Sequence, residues 1–327
     1  MAGLCQPQAV FGDTGEQGKA GDWRVIAEQK ISYTDDVAQF SAVRRQNFNE
    51  DPSQPTVVQD RRRDVVWEPS VDVLRRFSNA LGRSELSLKG QAFLFTDNPS
   101  FTHAMMRLQY RQFLGEDTSL LVRYRYTPNM LLGPNTERRT GHRLVEDERT
   151  TSHTWRLELE RRLSSQWTMT LINRYGLRLY NDAYAERDTQ FYTVGPQVRY
   201  KPTEWSAVKL GYLYERGLAD GRGDTRFNDD VSYRQHAVLV GLDGEWASPW
   251  ALHLTYIFRR KDFTSDLAGD SHLGRHDLVH QGTGEVEYRV NTACSLLVSI
   301  QRTQRSSTTQ TKDFHDTIAS IGMRLSL

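Results

Sequence analysis

From Trp23 to the last residue, the chain alternates apolar and polar positions with a period of two. In the final segment, Ala319, Ile321, Met323, Leu325 and Leu327 share one face. Asp316, Ser320, Gly322, Arg324 and Ser326 share the other, and Ile318 breaks the pattern. Successive side chains of a strand point to opposite faces, so this spacing predicts a strand with one apolar and one polar side. The same pattern recurs along the chain. Leu86, Leu88, Gly90, Ala92 and Leu94 alternate with Glu85, Ser87, Lys89 and Gln91; Leu120, Val122, Tyr124 and Tyr126 alternate with Ser119, Arg123 and Arg125. Leu252, Leu254, Tyr256 and Phe258 form one later row, and Leu296, Val298 and Ile300 another. About fourteen such segments are expected, most near the ~9–11 residues of a membrane-spanning strand.

The connections alternate in length. Short ones are expected at Asn79–Arg83, Gly115–Asp117, Ser164–Gln166, Lys201–Glu204, Ala247–Pro249 and Asn291–Thr292. Longer polar ones are expected at Thr34–Arg61, Pro128–Glu148, Glu215–Asp230, Arg260–Asp277 and Thr303–Asp313, with a brief exception at Asp97–Ser100. Pro69 falls inside the second segment, Trp67–Phe77, and calls for a bulge or a later strand start, because a closed sheet has no edge for a missing donor. Trp23, Trp167, Trp205, Trp246 and Trp250 sit beside the short turns, where amphipathic rings would mark a membrane girdle. Trp205 has the wrong parity for its strand.

Composition narrows the class. Of 327 residues, 25% are charged and 38% hydrophobic, and no run approaches the ~20 apolar residues of a spanning helix. A membrane barrel is compatible, because only every second strand residue meets lipid. A soluble sandwich of this many amphipathic strands would leave a large exposed apolar patch. The net charge of +1 argues against a nucleic-acid partner. Cys5 and Cys294 form no CxxC motif, so no haem or thioredoxin-type site is expected, nor any other cofactor. Residues 1–21 read as the remnant of a signal peptide cut near Ala9, or as a periplasmic lead-in.

Residues 22–327 resemble the bacterial outer-membrane β-barrel superfamily, and the last strand, Ile321-Gly-Met-Arg-Leu-Ser-Leu327, resembles the C-terminal signal read by the barrel-assembly machinery. It departs from that signal in ending on Leu327 rather than Phe. The size is similar to monomeric porins and to the barrel domain of surface-lipoprotein assembly modifiers. The resemblance implies an all-β, antiparallel up-and-down barrel in the outer membrane, with both termini periplasmic. It also implies contact with outer-membrane lipid and lipopolysaccharide.

Function is expected in the lumen. Middle strands project Arg107, Arg111, Arg123, Arg125, Arg156, Arg162, Arg174, Arg178 and Arg199, which in a meander form one basic wall. Asp243, Glu245, Glu285 and Glu287 fall on the opposite wall. Arginine suits carboxylate and phosphate recognition, and rings of it favour anion passage. An anion-preferring pore for acidic solutes or an anionic polysaccharide is therefore expected. The alternatives are a lumen sealed by arginine–glutamate ladders, serving as a scaffold or export partner of a periplasmic protein, and a membrane-embedded hydrolase using Ser152 with His153 or Ser232 with His236. The spacing of His272, His276 and His280 would align metal ligands on a helix, but surface positions on an extended loop are the simpler expectation. Asp220-Gly-Arg-Gly-Asp224 reads as a loop tip rather than a calcium site.

Overall fold

The computed structural model describes residues 23–38, 40, 63–309 and 313–327, except the side chains of Trp246 and Ala247. Fourteen antiparallel strands close into one barrel, each paired with its sequence neighbours. They are β1 (Trp23–Thr34), β2 (Asp64–Asn79), β3 (Gly82–Phe95), β4 (His103–Phe113), β5 (Thr118–Thr136), β6 (Val145–Arg162) and β7 (Trp167–Tyr180), followed by β8 (Thr189–Thr203), β9 (Ser206–Ala219), β10 (Tyr233–Ala247), β11 (Trp250–Phe263), β12 (His276–Arg289), β13 (Cys294–Ser307) and β14 (Phe314–Ser326). The seam pairs β1 with β14 from Ile26↔Ser326 to Thr34↔Ile318. Closure leaves no free strand edge. The proposed leader, 1–21, and Cys5 lie outside the described residues.

The usual distribution of burial is inverted. Ile321 is 61% exposed and Ile300 59%, whereas Arg174 and Arg178 each keep 1%. The apolar rows therefore form the outer surface and the charged rows fill the interior. An apolar outer belt is stable only against lipid, as in a transmembrane barrel. Trp23, Trp167, Trp205 and Trp250 are exposed at the short-turn end of this belt. Trp205 belongs to the turn between β8 and β9, which explains its parity. At Trp246 the β10–β11 register shifts between Gly244 and Ala247, and its side chain is outside the described set. Towards the long-loop ends, three hydroxyl–imidazole pairs mark the outer face. Tyr124 meets His153 at 2.8 Å, Tyr212 meets His236 at 2.6 Å and Tyr256 meets His280 at 2.7 Å.

Several local expectations are revised. The stretch 128–148 is largely strand: β5 runs to Thr136 and β6 begins at Val145, leaving a short connection. Pro128 is tolerated because the β5–β6 register shifts between Thr127 and Met130, with Asn129 at a φ of 42°. β2 starts before Pro69, at Asp64, and no bulge forms. Pro69 pairs with Gln29 on β1, and the ladder to β3 passes from Trp67↔Leu94 directly to Ser70↔Gln91. The missing donor is thus placed in a gap of the ladder. Ile318 breaks the alternation of β14 because it faces inward, into an apolar cluster.

That cluster lies at the long-loop end. After β1 the chain turns inward, with the Phe40 amide donating to the Asp36 carbonyl. Val37, Ala38 and Phe40 pack against Val66, Phe93, Phe95, Phe101, Met105 and Ile318, together with Met130–Leu132 of the irregular part of β5. A smaller inward-facing patch, Ile172, Leu213, Ala237, Leu239 and Ile257, lies on β7 and β9–β11.

Candidate functional site: the charged lumen

Arg107 on β4 lies directly opposite Arg125 on β5; Arg123 on β5 opposes Arg156 on β6, which opposes Arg174 on β7. Side chains two residues apart along a strand share a face, so the rows of β4 to β8 converge on one wall of the lumen. Arg111, Arg178 and Arg199 extend it. Carboxylates from the same strand, from the adjacent strand and from one strand further reach into this wall. Arg107 pairs with Asp72 at 2.6 Å, Arg156 with Glu158 at 2.6 Å, Arg111 with Glu160 at 3.3 Å and Arg123 with Glu158 at 4.0 Å. The two contacts at 2.6 Å are strong charge-assisted hydrogen bonds, and in a desolvated lumen such pairing compensates burial that unpaired charges would not survive.

Arg178 is held differently. Arg178 stacks on the Phe191 ring, its guanidinium carbon 4.4 Å from the centroid, and donates from Nη1 to the Tyr233 hydroxyl at 3.2 Å. Tyr233 in turn donates to Glu215 at 2.7 Å, and Lys261 lies 3.9 Å from the centre of the Tyr233 ring. This chain of contacts, on β7 to β11, was not visible in the sequence. The sequence offered Arg178 as a lumen residue and Glu215 only as the start of an expected connection.

The acidic side is neutralised strand by strand. Asp243 meets Lys209 at 2.7 Å and His253 at 3.0 Å. Glu285 receives Lys30 at 2.9 Å, and Glu287 receives Arg324 at 2.8 Å. Lys209, His253 and Lys30 were absent from the expected site, although all three have inward parity. Glu245 and Arg162 lie at the short-turn rim instead. Glu245 pairs with Arg289 at 2.9 Å and Arg162 with Asp117 at 2.8 Å, all four half-exposed.

Neither serine–histidine pair forms a dyad. Ser152 faces the lumen while His153 faces outward to Tyr124. Ser232 accepts from the Ala219 amide, and His236 faces outward to Tyr212. Asp224 is engaged by Arg226 at 2.6 Å in an exposed turn. The expected surface position fails for His272, which is 4% exposed and lies 2.9 Å from Asp270. His276 and His280 are on β12 and do not join it. Burial alone would push the Asp270 carboxyl up, but hydrogen bonds from His272 and Ser265 outweigh it and bring it down to about 2. Nearby, burial pushes the Glu186 carboxyl up, and the Asp229 charge adds to that.

A closed fourteen-strand meander with an apolar outer belt and a charged lumen defines the class: the protein has the fold of the bacterial outer-membrane β-barrels. Solved structures of that class are similar over most of their length. The outer membrane channel DcaP of Acinetobacter baumannii is 11% identical, with 94% of this chain and 98% of that chain covered and a TM-score of 0.53. A bacterial polysaccharide outer membrane secretin is 10% identical, with coverage of 92% and 98% and a TM-score of 0.51. The CymD monoaromatic hydrocarbon channel is 8% identical, with coverage of 94% and 89% and a TM-score of 0.51. At such identities the likeness is one of fold. No protein-family model matches the chain, and no curated protein sequence matches it.

Proposed function

We propose that the protein is an outer-membrane channel with a preference for anions, and that this structure is its closed state. The observation that carries this reading is the arginine wall of β4–β8, where Arg107 stands across from Arg125, and Arg156 across from both Arg123 and Arg174, with Arg111, Arg178 and Arg199 on the same inner face. Rows of fixed guanidinium groups in a narrow, low-dielectric passage favour anions over cations. Small acidic solutes or an anionic polysaccharide are the matching cargo. Closure rests on the near-complete burial of the lumenal side chains and on the apolar plug around Phe40.

The test is planar-bilayer recording of the purified barrel under a salt gradient. The reversal potential should report anion preference, and Arg174→Gln with Arg178→Gln should shift it towards zero. Cation preference in the unmodified protein would overturn the reading. The same burial favours a second reading, a non-conducting scaffold for a periplasmic or export complex, and absence of conductance under any applied voltage would select it.

The topology supports placing both termini and the short turns on the periplasmic side, the usual arrangement for an even-stranded barrel. The last strand offers the assembly machinery its signal. On the outer face, Arg216 and Arg234 stand directly across from each other, and Arg260 stands across from His236. This outward basic group beside the tyrosine–histidine pairs suits the phosphates of lipopolysaccharide.

A further inference from the structure

The loop between β9 and β10 and the loop between β11 and β12 meet above the barrel wall. There Asp229, Asp270 and His272, respectively 1%, 6% and 4% exposed, turn their donor atoms towards one another. His272 Nδ1 lies 2.9 Å from Asp270 Oδ1 and 3.6 Å from Asp229 Oδ1, and one donor atom from each residue falls within 4.8 Å of the other two. Ligands bound tetrahedrally at the usual zinc distances of about 2.0–2.2 Å stand about 3.3–3.6 Å apart. The 3.6 Å separation fits that spacing, and the 2.9 Å one is a hydrogen bond whose proton a bound ion would displace.

A second observation points the same way. Asp229 Oδ1 is buried and accepts no hydrogen bond, although the residue is otherwise fully engaged. Its other oxygen accepts from Arg187 Nε at 2.6 Å, and Arg187 is anchored to Glu148 at 2.9 Å. Asp270 is fixed just as firmly. Its Oδ2 accepts from the Asp230 amide at 2.9 Å and from the Ser265 hydroxyl at 2.5 Å. The His272 ring packs against Phe263, with centroids 4.8 Å apart. Such outer contacts are the means by which proteins orient metal ligands. The surroundings are rich in carboxylates. Arg187 is shared between Glu148 and Asp229, and both oxygens of the neighbouring Glu186 are buried without a hydrogen bond.

We infer that Asp229, Asp270 and His272 bind a divalent transition-metal ion of the zinc class. One imidazole nitrogen and two carboxylate oxygens suit such an ion better than calcium or magnesium, which prefer all-oxygen shells. Three protein ligands leave a fourth position for water. The ion would tie the two loops together and, through Arg187, to the connection between β7 and β8.

The test uses the full chain, folded in detergent micelles and stripped with a chelator, and titrated with Co²⁺. The expected result is one ion per chain, with the visible absorption of a four-coordinate site, displaced by Zn²⁺. His272→Ala should lower the affinity at least 100-fold, and Asp229→Asn, which preserves shape, should lower it at least 10-fold. Asp224→Asn, in a turn outside the cluster, should leave it unchanged. Heat-modifiable gel mobility checks that each variant retains the barrel. Lack of stoichiometric binding, unchanged binding in Asp229→Asn, or a preference for Ca²⁺ over Co²⁺ would each overturn the assignment.

Discussion

Lys30 on β1 reaches Glu285 on β12 at 2.9 Å, across the inner faces of the two strands that separate them in the sheet. From the intervening β14, Arg324 binds both Glu28, at 2.9 Å, and Glu287, at 2.8 Å. Lys30 also lies 3.5 Å from Glu28. The lumen is thus braced by contacts that skip strands, which sheet hydrogen bonding alone does not provide. Removing one partner of a buried pair strands the other charge, typically at a cost of about 3–5 kcal/mol, whereas removing both is far milder. Lys30→Met should therefore destabilise the barrel by about that amount. Adding Glu285→Gln to Lys30→Met should recover part of the loss. Unfolding in urea, followed by tryptophan fluorescence in micelles, checks both.

The apolar plug makes a separate prediction. Phe40 is fully buried, with its ring edge-on to Phe95 at 5.4 Å and to Phe93 at 6.3 Å between centroids. Truncating such an aromatic to alanine costs about 3–5 kcal/mol when the whole fold depends on it. Here the barrel wall is complete without it, so Phe40→Ala should release the inserted segment and leave the barrel folded. Single-channel conductance should rise and open events lengthen, with little change in the urea midpoint. An unchanged conductance would mean that closure lies deeper, among the paired charges.

The contrast between these two features marks what the sequence reveals. Strand alternation is local, so the strand count and the inward parity of Arg107, Arg125, Arg156, Arg174 and Arg178 are legible from spacing alone. Ion pairs such as Lys30–Glu285 depend on how far side chains reach across a curved wall, which no spacing encodes. The plug was hidden for a similar reason: Ile318 read as a defect because an inward apolar residue makes sense only once Phe40 is placed against it. His272 was misjudged because its partners, Asp229 and Asp270, come from two loops whose meeting is decided by the barrel between them. Bulges obscured the rest. The register shift after Thr127 let β5 continue through Pro128, where the turn residues suggested an end.

The loop cluster should respond to acid. The Asp270 carboxyl is held at about 2, below its ordinary unfolded value, because hydrogen bonds from His272 and Ser265 outweigh the opposing effect of burial. A depressed carboxylate stabilises the fold above the unfolded pKa, and that contribution fades as pH falls through the folded one. Loop order should hold above about pH 4 and decline towards pH 2. Hydrogen-exchange protection factors for the Asp230 and His272 amides, both bonded to Asp270, report this directly. Asp270→Asn should remove the acid transition and lower protection at neutral pH. Protection that stays flat down to pH 2 would show that Asp270 does not organise the loops.

Gly176 on β7 stands opposite Phe191 on β8, and the ring occupies the place of a side chain: a Cβ at Gly176 would lie 2.0 Å from the Phe191 Cζ. The ring cannot yield freely, because the Arg178 guanidinium is stacked on it. Gly176→Ala should therefore cost about 1–3 kcal/mol, the usual range for overpacking. It should also move Arg178 away from Tyr233, so the reversal potential shifts in the same direction as in Arg178→Gln, though less. Phe191→Leu on the Gly176→Ala background makes room for the methyl group and should restore much of the stability. It should not restore the anion preference, because Arg178 loses its aromatic support. Stability and selectivity recovered together would instead show that Phe191 merely fills space and that Arg178 is positioned by Tyr233 alone.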